Sequence, residues 1–165
     1  AITEIPTVPA GLYSSRHRSL DDVADGHTVA IPQDASNQSR AYNILAATGW
    51  ITLKPDANLA LVTENDIADN PHNLDIKPMD SATIPRSLPD LDWAVIPGSI
   101  SYSSKVDSRL ELFQEKLRPE LILVATTTED KVNSQWAQAV REAYASQEFK
   151  DYMEKHNDNN YWYVP

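Results

Sequence analysis

One junction in this chain, residues 27–45, constrains the fold more than any other. A short β-branched and apolar run, Thr28-Val-Ala-Ile31, stops at Pro32. A polar turn follows, and an amphipathic helix then carries Ala41, Ile44, Leu45 and Thr48 on one face, with Gly49 as its stop. The spacing predicts a helix over 37–48 with Arg40 in its first turn or so. Helix starts expose unpaired backbone N–H groups and the positive end of the macrodipole. A guanidinium there adds a planar fork suited to a carboxylate or phosphate, so the junction reads as a small anion site between strand and helix.

Other segments repeat the alternation. Trp93-Ala-Val-Ile96 reads as a buried strand broken by Pro97-Gly98-Ser99, and Leu121-Ile-Leu-Val-Ala125 as the strongest buried strand. Leu74 to Lys77 alternates as a strand. Glu64 to Ala68 and Ala82 to Leu88 read as short helices. Thr128-Glu-Asp opens the clearest helix, whose Val132, Trp136, Ala139, Val140, Ala143 and Tyr144 form an apolar stripe taken as core. Phe149 and Met153 belong to a further short helix, and the tail from Asn157 is loop, then extended. Strands alternating with helices predict an α/β class with a largely parallel sheet. Ligands of such sheets sit outside the carboxyl ends of strands, which puts the breaks after Ile31 and Ile96 at one crevice.

Charge and residue usage remove several functions. A net charge of −10 opposes binding to nucleic acid and to anionic membranes. The chain has no cysteine, so disulfides and thiolate metal sites are impossible. His17, His27, His72 and His156 show no metal-ligand spacing, and no nucleophile elbow or phosphate loop is present. The sequence therefore predicts no metal, no cofactor and no enzyme. No apolar run is long enough to span a bilayer.

Several motifs, in order, resemble the NlpA lipoprotein family. They are Gly11-Leu-Tyr-Ser14, Ser19-Leu-Asp-Asp22, Gly26-His-Thr-Val-Ala-Ile-Pro32, Asp34-Ala-Ser-Asn37-Gln-Ser-Arg40-Ala41, Pro85-Arg-Ser-Leu-Pro-Asp90 and Asp92-Trp-Ala-Val-Ile96. The resemblance runs from about Ile5 to the C-terminus. It implies a periplasmic binding protein-like (type II) two-lobed α/β fold that closes around a ligand. Residues 11–96 would be the second ligand-binding lobe. Residues 1–10 and 99–165 would be a partial first lobe whose N-terminal part is absent, as in a fragment or a divergent short homologue. Hinges would lie near Pro9–Gly11 and Pro97–Ser99.

The resemblance further implies an extracytoplasmic solute-binding protein of an ABC importer, lipid-anchored to the cell membrane in its full-length form. It would bind a small carboxylate, such as a methionine-like amino acid or a short peptide, and dock on an ABC permease. Arg40 stands where the family pairs an Arg with the ligand carboxylate, and Asn37 matches a family Asn. Ser39 and Ser99 complete the expected ligand-binding set. Pro97 and Ile122 occupy positions where the family places Asn, which removes partners for a ligand amine and leaves another carboxylate, a dipeptide or an unrelated anion open. A non-transporting binding module derived from the family is the alternative. The incomplete first lobe predicts self-association.

Overall fold

In the computed structural model, which describes residues Ala1–Pro165, the strand before the Pro32 break runs one residue further than its apolar core. In chain order the elements begin with β1 (Thr3–Glu4), β2 (Gly11–Tyr13), β3 (Thr28–Pro32), α1 (Ala35–Ala47), β4 (Thr52–Leu53), β5 (Ile67–Asp69) and β6 (Asp75–Met79). There follow α2 (Ile84–Ser87), β7 (Trp93–Ile96), α3 (Gly98–Ser103), β8 (Glu111–Gln114), β9 (Val124–Ala125), α4 (Gln135–Ala145) and α5 (Gln147–His156). No helix is long and apolar enough to cross a membrane.

The chain divides into two compact units, Ala10–Glu115 and Ala1–Pro9 with Lys116–Pro165. The larger is built on a five-stranded sheet of order β6-β3-β7-β2-β8. β3 pairs in parallel with β6 and β7, while β2 is antiparallel to both β7 and β8. Only β2 therefore runs against the rest. The carboxyl ends of β3, β7 and β8 lie along one edge of the sheet.

Both faces of this sheet are covered, so the strand residues alternate between two cores. Leu12, Val29, Ile31, Trp93 and Val95 pack with Ala41, Tyr42, Ile44 and Leu45 of α1 and with Trp50, Ile51, Val62 and Leu74. Tyr13, Ala30, Ala94 and Ile96 point the other way, against Ile84, Leu88 and Leu91 around α2. Each fully buried Leu, Ile or Val of the sheet–α1 core contributes about 1.5–3 kcal/mol. This unit does not end at Ile96. β8 pairs with β2, which draws residues 97–115 into it. The chain crosses between units at Pro9–Ala10 and at Glu115–Lys116, not at Pro97–Ser99.

The smaller unit pairs β1 with β9 antiparallel and adds a single bridge between Thr7 and Tyr163. Arg141 of α4 ties it together, donating from Nε to the Ile2 carbonyl and from Nη2 to the Val132 carbonyl. Two expectations fail in this unit. The run 121–125 is not a buried strand. Only Val124–Ala125 pair, with β1 as the one neighbour, and Leu123 and Val124 stay 54% and 42% exposed. Apolar content signals a need for cover, and a two-residue ladder provides little. The Trp136 stripe likewise is not core. α4 starts at Gln135, capped by Ser134, and buries only Ala137 fully, with Trp136 49% exposed.

Candidate functional site

The helix start after β3 already carries an anion of its own. Asp34 caps α1, its side chain accepting from the Asn37 N–H at 3.1 Å. The helix begins at Ala35 rather than Asn37, which puts Arg40 in the second turn. The positive end of α1 is thus answered by Asp34, which corrects the expectation of an open anion site at that helix end.

Arg40 meets Glu115 at the carboxyl end of β8. Its Nε donates to Glu115 Oε2 at 3.2 Å and its Nη2 to Oε1, a side-on bidentate pair. Nη1 reaches Asn37 Oδ1 at 3.5 Å. Glu115 is itself held by the crossing strand. Its Oε1 accepts from the Ala10 N–H at 2.7 Å, and its own N–H donates to the Ala10 carbonyl at 2.9 Å. The two side chains keep 19% and 8% of their surface exposed. Sheet direction explains the meeting, because Glu115 ends a strand parallel to β3 and so shares its edge.

Of the other expected ligand residues, Asn37 is beside Arg40 and Ser39 is not available. Ser39 is 2% exposed, and its hydroxyl donates to the Leu59 carbonyl at 3.1 Å and accepts from the Val62 N–H at 2.9 Å. It fastens α1 to the 59–62 loop, and this corrects the expectation that it touches ligand. Ser99 is exposed on α3, the helix that opens directly after the break at Pro97. Pro97 is buried at the start of that helix. Glu115 was missed because no local pattern links it to a residue 75 positions away.

The opposite edge of the same sheet gathers His17, His27 and Asp92, which sequence spacing had left scattered. Their candidate ligand atoms lie within 4.8 Å of one another. His27 precedes β3 and Asp92 precedes β7, so parallel pairing sets them side by side. Asp92 Oδ1 is 2.9 Å from His17 Nε2, and Oδ2 accepts from the Thr28 N–H at 2.9 Å and hydroxyl at 3.1 Å. Burial pushes this carboxyl up, but the bonds from His17 and Thr28 outweigh it and hold it at about 2. His17 stacks between His27 and Trp93, each with ring centroids 4.7 Å away.

These residues do not suit a metal. His27 Nδ1 faces two donors, Trp93 Nε1–H at 3.1 Å and the Ala24 N–H at 3.3 Å. Its proton therefore sits on Nε2, the atom that faces Asp92, and a metal ligand needs that lone pair free. Arg16 Nη1, 3.8 Å from Asp92 Oδ1, adds a cation beside that oxygen. The cluster is a structural clasp joining the segment after β2 to the starts of β3 and β7.

Comparison with known proteins places these observations in a family context. A family model described as NlpA lipoprotein matches residues 1–164. The chain is 32% identical over 143 residues to a probable D-methionine-binding lipoprotein MetQ of Vibrio cholerae, covering 85% of this chain and 52% of that protein. The D-methionine-binding lipoprotein MetQ of Escherichia coli K12 gives the same identity and coverage. The chain thus spans about half the length of the curated relatives it matches. A solved nutrient binding protein from Burkholderia cenocepacia bound to methionine superimposes with a TM-score of 0.84 at 28% identity, over 98% of this chain and 68% of that one. A periplasmic substrate-binding protein of an ABC transporter from Coxiella burnetii gives 0.84 at 28%, over 100% and 69%.

Proposed function

Since the chain belongs to the NlpA lipoprotein family, we propose that it is the non-enzymatic, ligand-binding part of an extracytoplasmic protein serving an ABC importer. The ligand is a small carboxylate of the methionine-like amino acid or short-peptide class. In its full-length form the protein is lipid-anchored outside the cell membrane and delivers ligand to a permease. The names of its relatives, methionine-binding lipoproteins and an ABC transporter component, support this. The unit Ala10–Glu115 corresponds to the second lobe of such a protein and the other unit to part of the first.

One observation carries the reading. A guanidinium has five N–H groups. Arg40 commits its Nε–H and one Nη2–H to Glu115 and one Nη1–H to Asn37. One hydrogen on each Nη is left to donate to a carboxylate. The group lies at the carboxyl edge of a largely parallel sheet, where α/β folds bind ligands.

Isothermal titration of the purified chain with the twenty amino acids and a dipeptide set tests this. At least one carboxylate ligand is expected to bind, and Arg40→Met is expected to weaken it at least a hundredfold. Equal affinity in the variant would refute the clamp. Pro97, without a side-chain donor where the family resemblance implies Asn, favours a second reading, a binding module that no longer transports. Uptake of the bound ligand by cells carrying the full-length protein and its permease separates the two.

A further inference from the structure

Arg40 reaches the carboxyl edge on a long, flexible side chain, and α1 does little to aim it. Asn37, its partner on the same helix, accepts from Nη1 at 3.5 Å, the outer limit of a hydrogen bond. The firm contacts come from Glu115. Two parallel N–H···O bonds to one carboxylate fix both the place and the plane of a guanidinium.

Glu115 can aim Arg40 because it is itself fixed. Its side chain is the more buried of the two. Oε1 accepts from the Ala10 N–H at 2.7 Å, and the Glu115 N–H donates to the Ala10 carbonyl at 2.9 Å. Ala10 and Glu115 are the first and last residues of the larger unit, where the chain enters it and leaves it. One carboxylate thus pins the guanidinium to both crossings. It bonds on the Nε side, so a hydrogen on each Nη stays free to donate elsewhere.

Charge alone would favour the absence of Glu115. A carboxylate beside Arg40 lowers the positive potential that draws an anionic ligand, and in a partly buried setting that effect is weakly screened. Geometry favours its presence, because a binding group works only when a surrounding shell of hydrogen bonds holds it near the productive orientation. The two effects predict opposite signs when the charge is removed.

We propose that Glu115 is a positioning residue, which locks the Arg40 guanidinium to the two chain crossings and stays bonded to it while Arg40 holds a ligand carboxylate. This rests on the reading of Arg40 as the ligand clamp, and it names the group that sets the clamp's aim.

Two measurements on the intact chain test it, with the tightest-binding compound of the amino-acid and dipeptide panel as ligand. Glu115→Gln keeps the side-chain length but turns an amide nitrogen toward a guanidinium or amide donor. It is expected to weaken binding at least tenfold in titration calorimetry, although it removes a negative charge from the site. A smaller loss would make Glu115 a tie between the crossings only, and tighter binding would make it a competitor of the ligand; either overturns the proposal. The second measurement needs no change to Glu115. The Nε–H signal of Arg40, assigned by its loss in Arg40→Met, is expected to exchange slowly with water in the ligand-free protein. Its exchange rate is expected to rise no more than threefold at saturating ligand. A larger rise would show that ligand displaces Glu115, and would overturn the proposal even if Glu115→Gln failed to fold. If Arg40→Met abolishes binding while any of the contrary results holds, the clamp stands and Glu115 alone is refuted. If Arg40→Met binds as tightly as the unmodified protein, or nothing in the panel binds, both fall together.

Discussion

Glu111 is expected to make this protein less stable as the pH rises, and replacing it is expected to reverse that. Its carboxyl opens β8 and packs against Gly11, where any Cβ would collide with it. Its Oε2 is buried beside the Tyr13 hydroxyl. Burial pushes the group up from 4.5 to about 7, and the nearby Tyr13 hydroxyl lowers it only in part. Below about pH 4.5 the group is protonated whether folded or unfolded and has no pH-linked effect. Between about 4.5 and 7 the unfolded chain ionises first, so unfolding gains on folding, and above 7 the full penalty is in place. At about 1.4 kcal/mol per pH unit the ceiling is near 3 kcal/mol, and solvent at this partly exposed position brings it to about 1–3 kcal/mol.

Glu111→Gln removes the charge and keeps the shape. Urea denaturation, followed by the fluorescence of buried Trp93, is expected to show little difference from the unmodified protein at pH 4. At pH 8 the variant is expected to be more stable by about 1–3 kcal/mol. A stability difference that is the same at both pH values, or a variant that is weaker at pH 8, would show that Glu111 does not carry a buried charging penalty.

The opposite linkage is expected at Asp92. Its carboxyl is lowered to about 2, so it stabilises the folded chain above about pH 4 and loses that effect as pH falls toward 2. Arg16, His17 and His27 face it. Asp92→Asn is expected to cost about 1–2 kcal/mol at pH 6 and progressively less toward pH 2, measured by the same urea curves; a pH-independent loss would contradict the assignment. Ser39→Ala is expected to leave the Val62 amide buried without its acceptor, costing about 1–3 kcal/mol and speeding exchange of that amide. Ligand affinity is expected to stay within twofold, and a larger loss would return Ser39 to the ligand shell.

What could be read directly from the sequence was set by local rules. Pro32 and Pro97 mark the ends of β3 and β7 because each directly follows a buried apolar run. The apolar face of α1 is as its spacing implies, with Ala41, Ile44 and Leu45 buried. It starts two residues before the predicted Asn37, because Asp34 supplies the cap. Glu64 to Ala68 has the pattern of one short helix, yet only Glu64–Asp66 form a tight turn and the strand Ile67–Asp69 pairs with β4. Acidic residues at a turn start look alike whether a helix or a strand follows. The run 121–125 failed for a different reason. Apolar content tells how much cover a segment wants, while cover is set by neighbours that the segment does not encode.

Both polar clusters escaped sequence reading for one shared cause. Asp92 and His17 are 75 residues apart, as are Arg40 and Glu115. Only strand direction brings each pair together, one at the amino edge of the sheet and the other at the carboxyl edge. At the amino edge the bonds close on themselves. Thr28 and Asp92 exchange three hydrogen bonds, His17 takes the other carboxylate oxygen, and Trp93 and Ala24 fill the acceptor on His27. At the carboxyl edge the bonds stop short, with two N–H groups on Arg40 and one acceptor on Glu115 left over. A polar group that is partly buried and incompletely bonded costs free energy unless something else completes it. Under the proposed reading, a ligand at the carboxyl edge is what completes them.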